Sequence, residues 1–173
     1  MNSNENAKSK NEKKDLTFSL RKIEPKDDAK MAAIIRRNFE SYDLAIPGTA
    51  YFDPQLDKLA EFYVDYGEYY VLADEDGNAL GGAGIGEFKD IEGAAELQKL
   101  YFDDSIKGLG LSKYLMSHLE SRARALGFKR MYIETHSKLE TALHLYVKMG
   151  YKEIEKPSFV QHGAMDTFFI KEL

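Results

Sequence analysis

An α/β domain with a mixed sheet is the fold class expected of this chain, on three observations. From Leu16 onward, apolar residues recur with strand and helix periods in alternation, and no internal repeat or linker interrupts the succession. With 43% apolar residues, a length of 173 supports one full core and hardly two. Residues 16–173 are therefore read as a single domain. Residues 1–15 are too polar to bury themselves, or to contain the apolar region of a signal peptide, and read as a disordered tail.

Each element has its own signal. Leu16 to Ile23 sets Leu16, Phe18 and Leu20 against Thr17, Ser19 and Arg21, the alternation of a half-buried strand. Pro25 then opens a helix through Phe39 whose core face is Met31, Ile34, Ile35 and Phe39. Asp43 to Pro54 is a loop, and Asp53 is the expected N-cap of a second helix ending near Asp65. Strands Tyr69 to Ala73 and Ala79 to Phe88 flank the turn Asp74 to Asn78 as a hairpin. Gly81, Gly82, Gly84 and Gly86 are unusual inside a strand; they weaken it but admit another chain segment or a ligand. A strand from Ala94 to Phe102 leads to a helix from Leu109 to Leu126, with Leu111, Leu115, Leu119 and Ala123 on one stripe and Gly127 as its stop. A strand from Arg130 to Thr135, a helix from Leu139 to Met149 and two strands, Tyr151 to Ile154 and Ala164 to Lys171, complete the domain.

The stretch from Glu96 to Ser112 carries the most chemistry. A strand there feeds Gly108, Leu109 and Gly110, which open the long helix. The first N–H groups of a helix lack intrahelical partners and carry partial positive charge, so this turn can seat a phosphate on backbone alone. Simple chain reversal is the alternative use of such a turn. Lys107 beside the glycines and Ser112 in the first turn could add donors, or be an ordinary surface lysine and helix serine. Farther on, Ala142, Leu143, Tyr146 and Met149 share one helical face, which by pattern alone makes Tyr146 a core tyrosine.

Leu145, Tyr146, Val147, Lys148, Met149, Gly150 and Tyr151 resemble the Leu-Tyr-x-Lys-x-Gly-Phe/Tyr signature of the GCN5-related N-acetyltransferase (GNAT) family. The resemblance is strong from Glu96 to Tyr151 and implies a mixed, mostly antiparallel sheet flanked by about four helices. It implies acetyl-CoA as co-substrate, held by Leu100, Tyr101, Phe102, Lys107, Gly108, Leu109, Gly110, Leu111 and Ser112, with a backbone N–H of Leu100 to Phe102 facing the thioester carbonyl. Direct attack by a substrate amine needs a proton acceptor and a proton donor for the departing thiolate. By the resemblance Tyr146 is the acid and Glu96 the base, with Glu134 and His136 as rivals to Glu96. The implied acceptor is a small amine or an amino-acid-like molecule, covered by the Tyr42 to Phe52 loop; a protein N-terminus or lysine is the alternative acceptor. Ser105, Ile106 and Leu139 depart from the family pattern, and they favour the rival reading of a non-catalytic acyl-CoA binding module.

Composition narrows the classes further. With no cysteine there is no disulfide framework, Cys-ligated metal or cysteine nucleophile, and His118, His136, His144 and His162 lack metal-ligand spacing, so no metal is expected. A net charge of −5 argues against a nucleic-acid partner and permits a cationic substrate. No run approaches the roughly 18 apolar residues of a membrane span, so the expectation is a soluble, cytoplasmic protein without a membrane partner. A homodimer is allowed, and the sequence does not decide it.

Overall fold

The computed structural model describes residues 17–160 and 163–173, so the expected tail, Leu16 and His162 lie outside it. Seven strands form one sheet: β1 (Ser19–Lys22), β2 (Gly67–Ala73), β3 (Ala79–Phe88), β4 (Ala94–Phe102), β5 (Arg130–Thr135), β6 (Lys152–Ile154) and β7 (Thr167–Glu172). Their spatial order is β1-β2-β3-β4-β5-β7-β6. Only β4 and β5 are parallel, and the remaining neighbours are antiparallel. Four helices flank the sheet: α1 (Asp28–Ser41), α2 (Leu59–Tyr66), α3 (Leu111–Ala125) and α4 (Glu140–Lys148). The mixed, mostly antiparallel sheet with four helices is the architecture the resemblance implied.

Each face of the sheet has its own core. Leu115, Leu119 and Ala123 of α3, together with Tyr146 of α4, close over Ile85, Leu97, Met131 and Phe169 on one face. On the other, Met31, Ile34, Ile35 and Phe39 of α1 and Leu59 and Tyr63 of α2 cover Tyr69, Val71 and Ala79. Polar contacts fix α3 on the sheet as well. Arg122 donates two hydrogen bonds of 2.8 Å to Glu68 on β2, and that guanidinium holds the Glu68 carboxyl down to about 2 despite its burial.

Two helix starts differ from expectation. α2 begins at Leu59 after a 3-10 turn over Leu56–Lys58, and Asp53 does not cap it. The Asp53 carboxylate instead lies 2.8 Å from the buried Lys99 ammonium. α3 begins at Leu111 and not at Leu109, because Gly110 at its N-cap has φ +75° and Gly108 has φ +79°. Left-handed backbone ends regular structure before the helix can start.

The feature that positions the site is a separation within the sheet. β4 and β5 pair only through Ala94–Arg130, Ala95–Met131 and Glu96–Tyr132. Beyond Glu96, β4 continues along β3 while Ile133 to Thr135 continue along β7. In the β3–β4 register Gly84 faces Gln98 and Gly82 faces Tyr101, so Ala83 is opposed by two residues, Lys99 and Leu100. This β-bulge bends β4. Lys99 takes φ +51° there, a conformation costly for a residue with a side chain. The Tyr69 hydroxyl, donating to the Lys99 carbonyl at 3.0 Å, and the Asp53 ion pair hold it.

Candidate active site

Between the parted strands lies a cavity of about 630 Å³. Its walls bring together Leu100, Tyr101 and Phe102 of β4, the turn residues Lys107, Gly108 and Gly110, Leu111 and Ser112 of α3, and Tyr146 of α4. Leu109 is the exception among the expected cofactor residues. It is outside the lining and half exposed, so only its backbone can take part.

At the turn the structure leaves a seat for an anion. Gly110 is the N-cap, and no side chain caps the helix. A Cβ built on Gly108 or Gly110 would meet nothing within 4 Å, so the space over both residues is open, and the φ values are what demand glycine. Lys107 already has a partner, Asp104, at 2.6 Å. Asp103 caps the preceding turn, its carboxylate accepting from the Ser105 N–H at 3.0 Å and hydroxyl at 2.6 Å, while Ile106 is buried and lines the cavity. Leu139 lines it too, packed against the α1 core.

Tyr146 is at once a core residue and a cavity residue. Its ring packs against Phe169 at 5.5 Å, in the core, yet the residue lines the cavity. Burial raises the phenol above its ordinary pKa, opposed by a hydrogen bond with Thr135, so it is protonated at neutral pH. The same rise makes it a weaker acid toward a thiolate than a free phenol is.

Glu96 does not line the cavity; it stands at the root of the separation, opposite Tyr132 in the last β4–β5 pair. Burial raises its carboxyl to about 7, a hydrogen bond from Gln98 works against that rise, and Glu134 adds to it. A carboxylate with that value is half ionised near neutrality, which suits a general base. The rivals are placed differently. Glu134 lines the cavity, is raised mainly by burial, and accepts from the Tyr132 hydroxyl at 3.0 Å. His136 accepts the Lys138 N–H on Nδ1 at 3.1 Å, which puts its own proton on Nε2, 3.8 Å from Asp166, and leaves no lone pair for a substrate.

Residues outside the sequence motifs also enter the site. Buried Asn38 of α1 donates to the carbonyls of Ile34 at 2.8 Å and Phe102 at 3.0 Å, tying the end of β4 to α1 at the cavity wall. Gln98 links Glu96 to Tyr63 and Tyr66. An asparagine on a helix and a glutamine on a strand carry no spacing signal. The glycines of β3 did give one, since they had no account within the strand itself.

The chain as a whole has counterparts among known proteins. The model of the Acetyltransferase (GNAT) family matches residues 31–151. The chain belongs to this family. It is thus an acyltransferase, and its relatives agree. The N-acetyltransferase YjgM of Escherichia coli (strain K12) is 36% identical over 138 residues, 79% of this chain and 83% of that protein. A GNAT-family acetyltransferase of Staphylococcus aureus Mu50 superposes with a TM-score of 0.80 over 91% of this chain and 99% of its own, at 17% identity, a likeness of fold alone. The phosphinothricin acetyltransferase (Pat) of Sinorhizobium meliloti, solved in complex with AcCoA, gives a TM-score of 0.68 at 25% identity, covering 91% of this acetyltransferase and 89% of its own chain.

Proposed function

We propose that this acetyltransferase moves the acetyl group of acetyl-CoA to the amine of a small or amino-acid-like acceptor by direct attack. The supporting observation is the cavity between β4 and β5, which runs from the uncapped amides of Gly108 to Ser112 past the parted edge of β4 to Tyr146. Pyrophosphate takes the amides and the pantetheine arm takes the edge of β4 beyond Glu96, where β5 provides no partner. An N–H of Leu100 to Phe102 then faces the thioester oxygen. Glu96 removes the proton of the acceptor ammonium, directly or through one water. The amine nitrogen bonds to the carbonyl carbon, the carbon–sulfur bond breaks, the Tyr146 proton goes to the thiolate, and the second proton that the nitrogen sheds on becoming an amide returns through water to the Tyr146 oxygen. No covalent enzyme intermediate is needed.

The test is a panel of amines incubated with acetyl-CoA while free thiol is followed. Thiol release dependent on one amine class identifies the acceptor, and release dependent only on peptides with free N-termini or lysines moves the acceptor to protein. Ser105 where the family pattern has Arg or Gln, Ile106 as an apolar wall where it has Gly, and Leu139 favour a second reading in which acyl-CoA is bound and not used. Tight acetyl-CoA binding with no release from any amine would select that reading.

A further inference from the structure

The glycines of β3 and a set of tyrosines form one device beside Glu96. Gly82, Gly84 and Gly86 lie on one face of the strand, and each is covered by a ring. A Cβ on Gly82 would lie 2.6 Å from the Tyr69 ring, on Gly84 2.8 Å from Tyr63, and on Gly86 2.2 Å from Tyr66. No real Cβ contact is that short, so a side chain at any of the three would displace an aromatic ring. Lying flat on bare backbone, the rings send their hydroxyls across to β4. Tyr69 reaches the Lys99 carbonyl at 3.0 Å, at the bulge. Tyr63 donates to Gln98 Oε1 at 2.7 Å. Gln98 Nε2 donates to the Tyr66 hydroxyl at 3.0 Å and to Glu96 Oε2 at 2.6 Å.

The hydrogen bonds set the orientation of the Gln98 amide. With the Tyr63 hydroxyl on Oε1, the NH₂ group must face Glu96, and it supplies that carboxylate's hydrogen bond in a partly buried site. We infer that Gln98 is a positioning residue for acetyl transfer: held by Tyr63 and Tyr66 over the β3 glycines, its amide aims the Glu96 carboxylate and stabilises its ionised form. This rests on the reading of Glu96 as base. Other groups face Glu96 as well: Tyr132 and Glu134 from β5, Lys99 from β4 and Asp53 from the loop before α2. Lys99 is committed to Asp53, so the Gln98 amide is the direct hydrogen-bond donor to the Glu96 carboxylate among the described residues.

The experiment is a ¹³C NMR titration of glutamate side-chain carboxyls, with the Glu96 signal assigned by its loss in Glu96→Gln. It needs no acceptor. In the wild type the midpoint is expected at about 7. Gln98→Leu removes the donor to the anion and should move the midpoint up by about one to two pH units. If Gln98→Leu proves unstable by thermal melting, Tyr63→Phe keeps the ring on Gly84 and frees the amide to turn its oxygen toward Glu96, giving a smaller shift in the same direction. The acid limb of the pH–rate profile, taken with an accepted amine, should follow both shifts, while KM for acetyl-CoA stays put because Gln98 is outside the cavity lining. An unmoved midpoint in folded Gln98→Leu or Tyr63→Phe would overturn the role of Gln98. A Glu96→Gln enzyme with the wild-type pH–rate profile would instead remove Glu96 as base, whatever the NMR shows.

Discussion

Where α3 begins, the cavity beside β4 opens on bare backbone at Gly108 and Gly110, whereas the α1–α2 side of the same strand carries a chain of polar contacts from Tyr63 through Gln98 to Glu96. The first side holds its shape through a helix start and a strand separation, and it offers an open seat. The second has side chains from α2 and β4 meeting at a half-buried carboxylate, over the bare backbone of β3. One strand thus lies between an open turn of bare main chain and a carboxylate aimed by side chains. Substitutions at the two should fail differently: in cofactor affinity at the glycine turn, in rate at Glu96.

The largest effects are expected where chemistry occurs. Glu96→Gln should lower transfer at neutral pH by about 10²–10⁴-fold, with recovery as pH rises toward the acceptor's own pKa, about 10 for a lysine-like amine. In the wild type the rate should fall as pH drops below about 7, where Glu96 takes up its proton. Pre-steady-state acetyl transfer followed across pH checks both slopes; parallel profiles would move the base to Glu134. Tyr146→Phe keeps the ring against Phe169 and loses the acid, so kcat should fall within the same range of about 10²–10⁴-fold. Coenzyme A affinity, measured by calorimetry, should stay within error, and undiminished turnover would return Tyr146 to the core alone.

Smaller effects test the binding side. Gly110→Val forces a β-branched residue into φ +75° and places its side chain over the helix amides. Loss of one charge-assisted hydrogen bond there corresponds to coenzyme A binding about ten- to a hundredfold weaker, with a preserved circular dichroism spectrum. Wild-type affinity in a folded variant would place the pyrophosphate elsewhere. Lys107→Ala is the smallest change. Its ammonium is half exposed and already paired with Asp104, so affinity should stay within about fivefold. A larger loss would mean that Lys107 leaves Asp104 for the cofactor.

The same division explains what could be read from the amino-acid sequence. Gly108 and Gly110 before an amphipathic stripe, and the Leu145 to Tyr151 signature, are local patterns, and the structure places Tyr146, Gly108, Gly110, Leu111 and Ser112 around one cavity. The bulge at Lys99 was not legible, because nothing in a lysine signals φ +51°; distant partners, Tyr69 and Asp53, impose it. Asp53 itself looked like a helix cap for the same reason, since its true partner is far along the chain. Gln98 escaped because its role depends on α2 reaching over β3. The glycines at 82, 84 and 86 signalled that something comes close, and Tyr63, Tyr66 and Tyr69 are what comes.

The burial that prepares Glu96 also acts on thermodynamic stability. Its folded value, about 7, lies above the ordinary glutamate value of 4.5 that the unfolded chain would show, so the native state binds this proton more tightly. The contribution is fully present below pH 4.5 and is lost as pH rises through 7, about 3 kcal/mol in all at ~1.4 kcal/mol per unit. Glu96→Gln, which cannot ionise, should therefore gain melting temperature over the wild type at pH 8 and lose that advantage near pH 4. Calorimetry at the two pH values decides it, and an equal difference at both would mean that burial does not strain the carboxylate. Over the window in which Glu96 becomes competent as a base, the fold gives up part of its stability to keep it ionised.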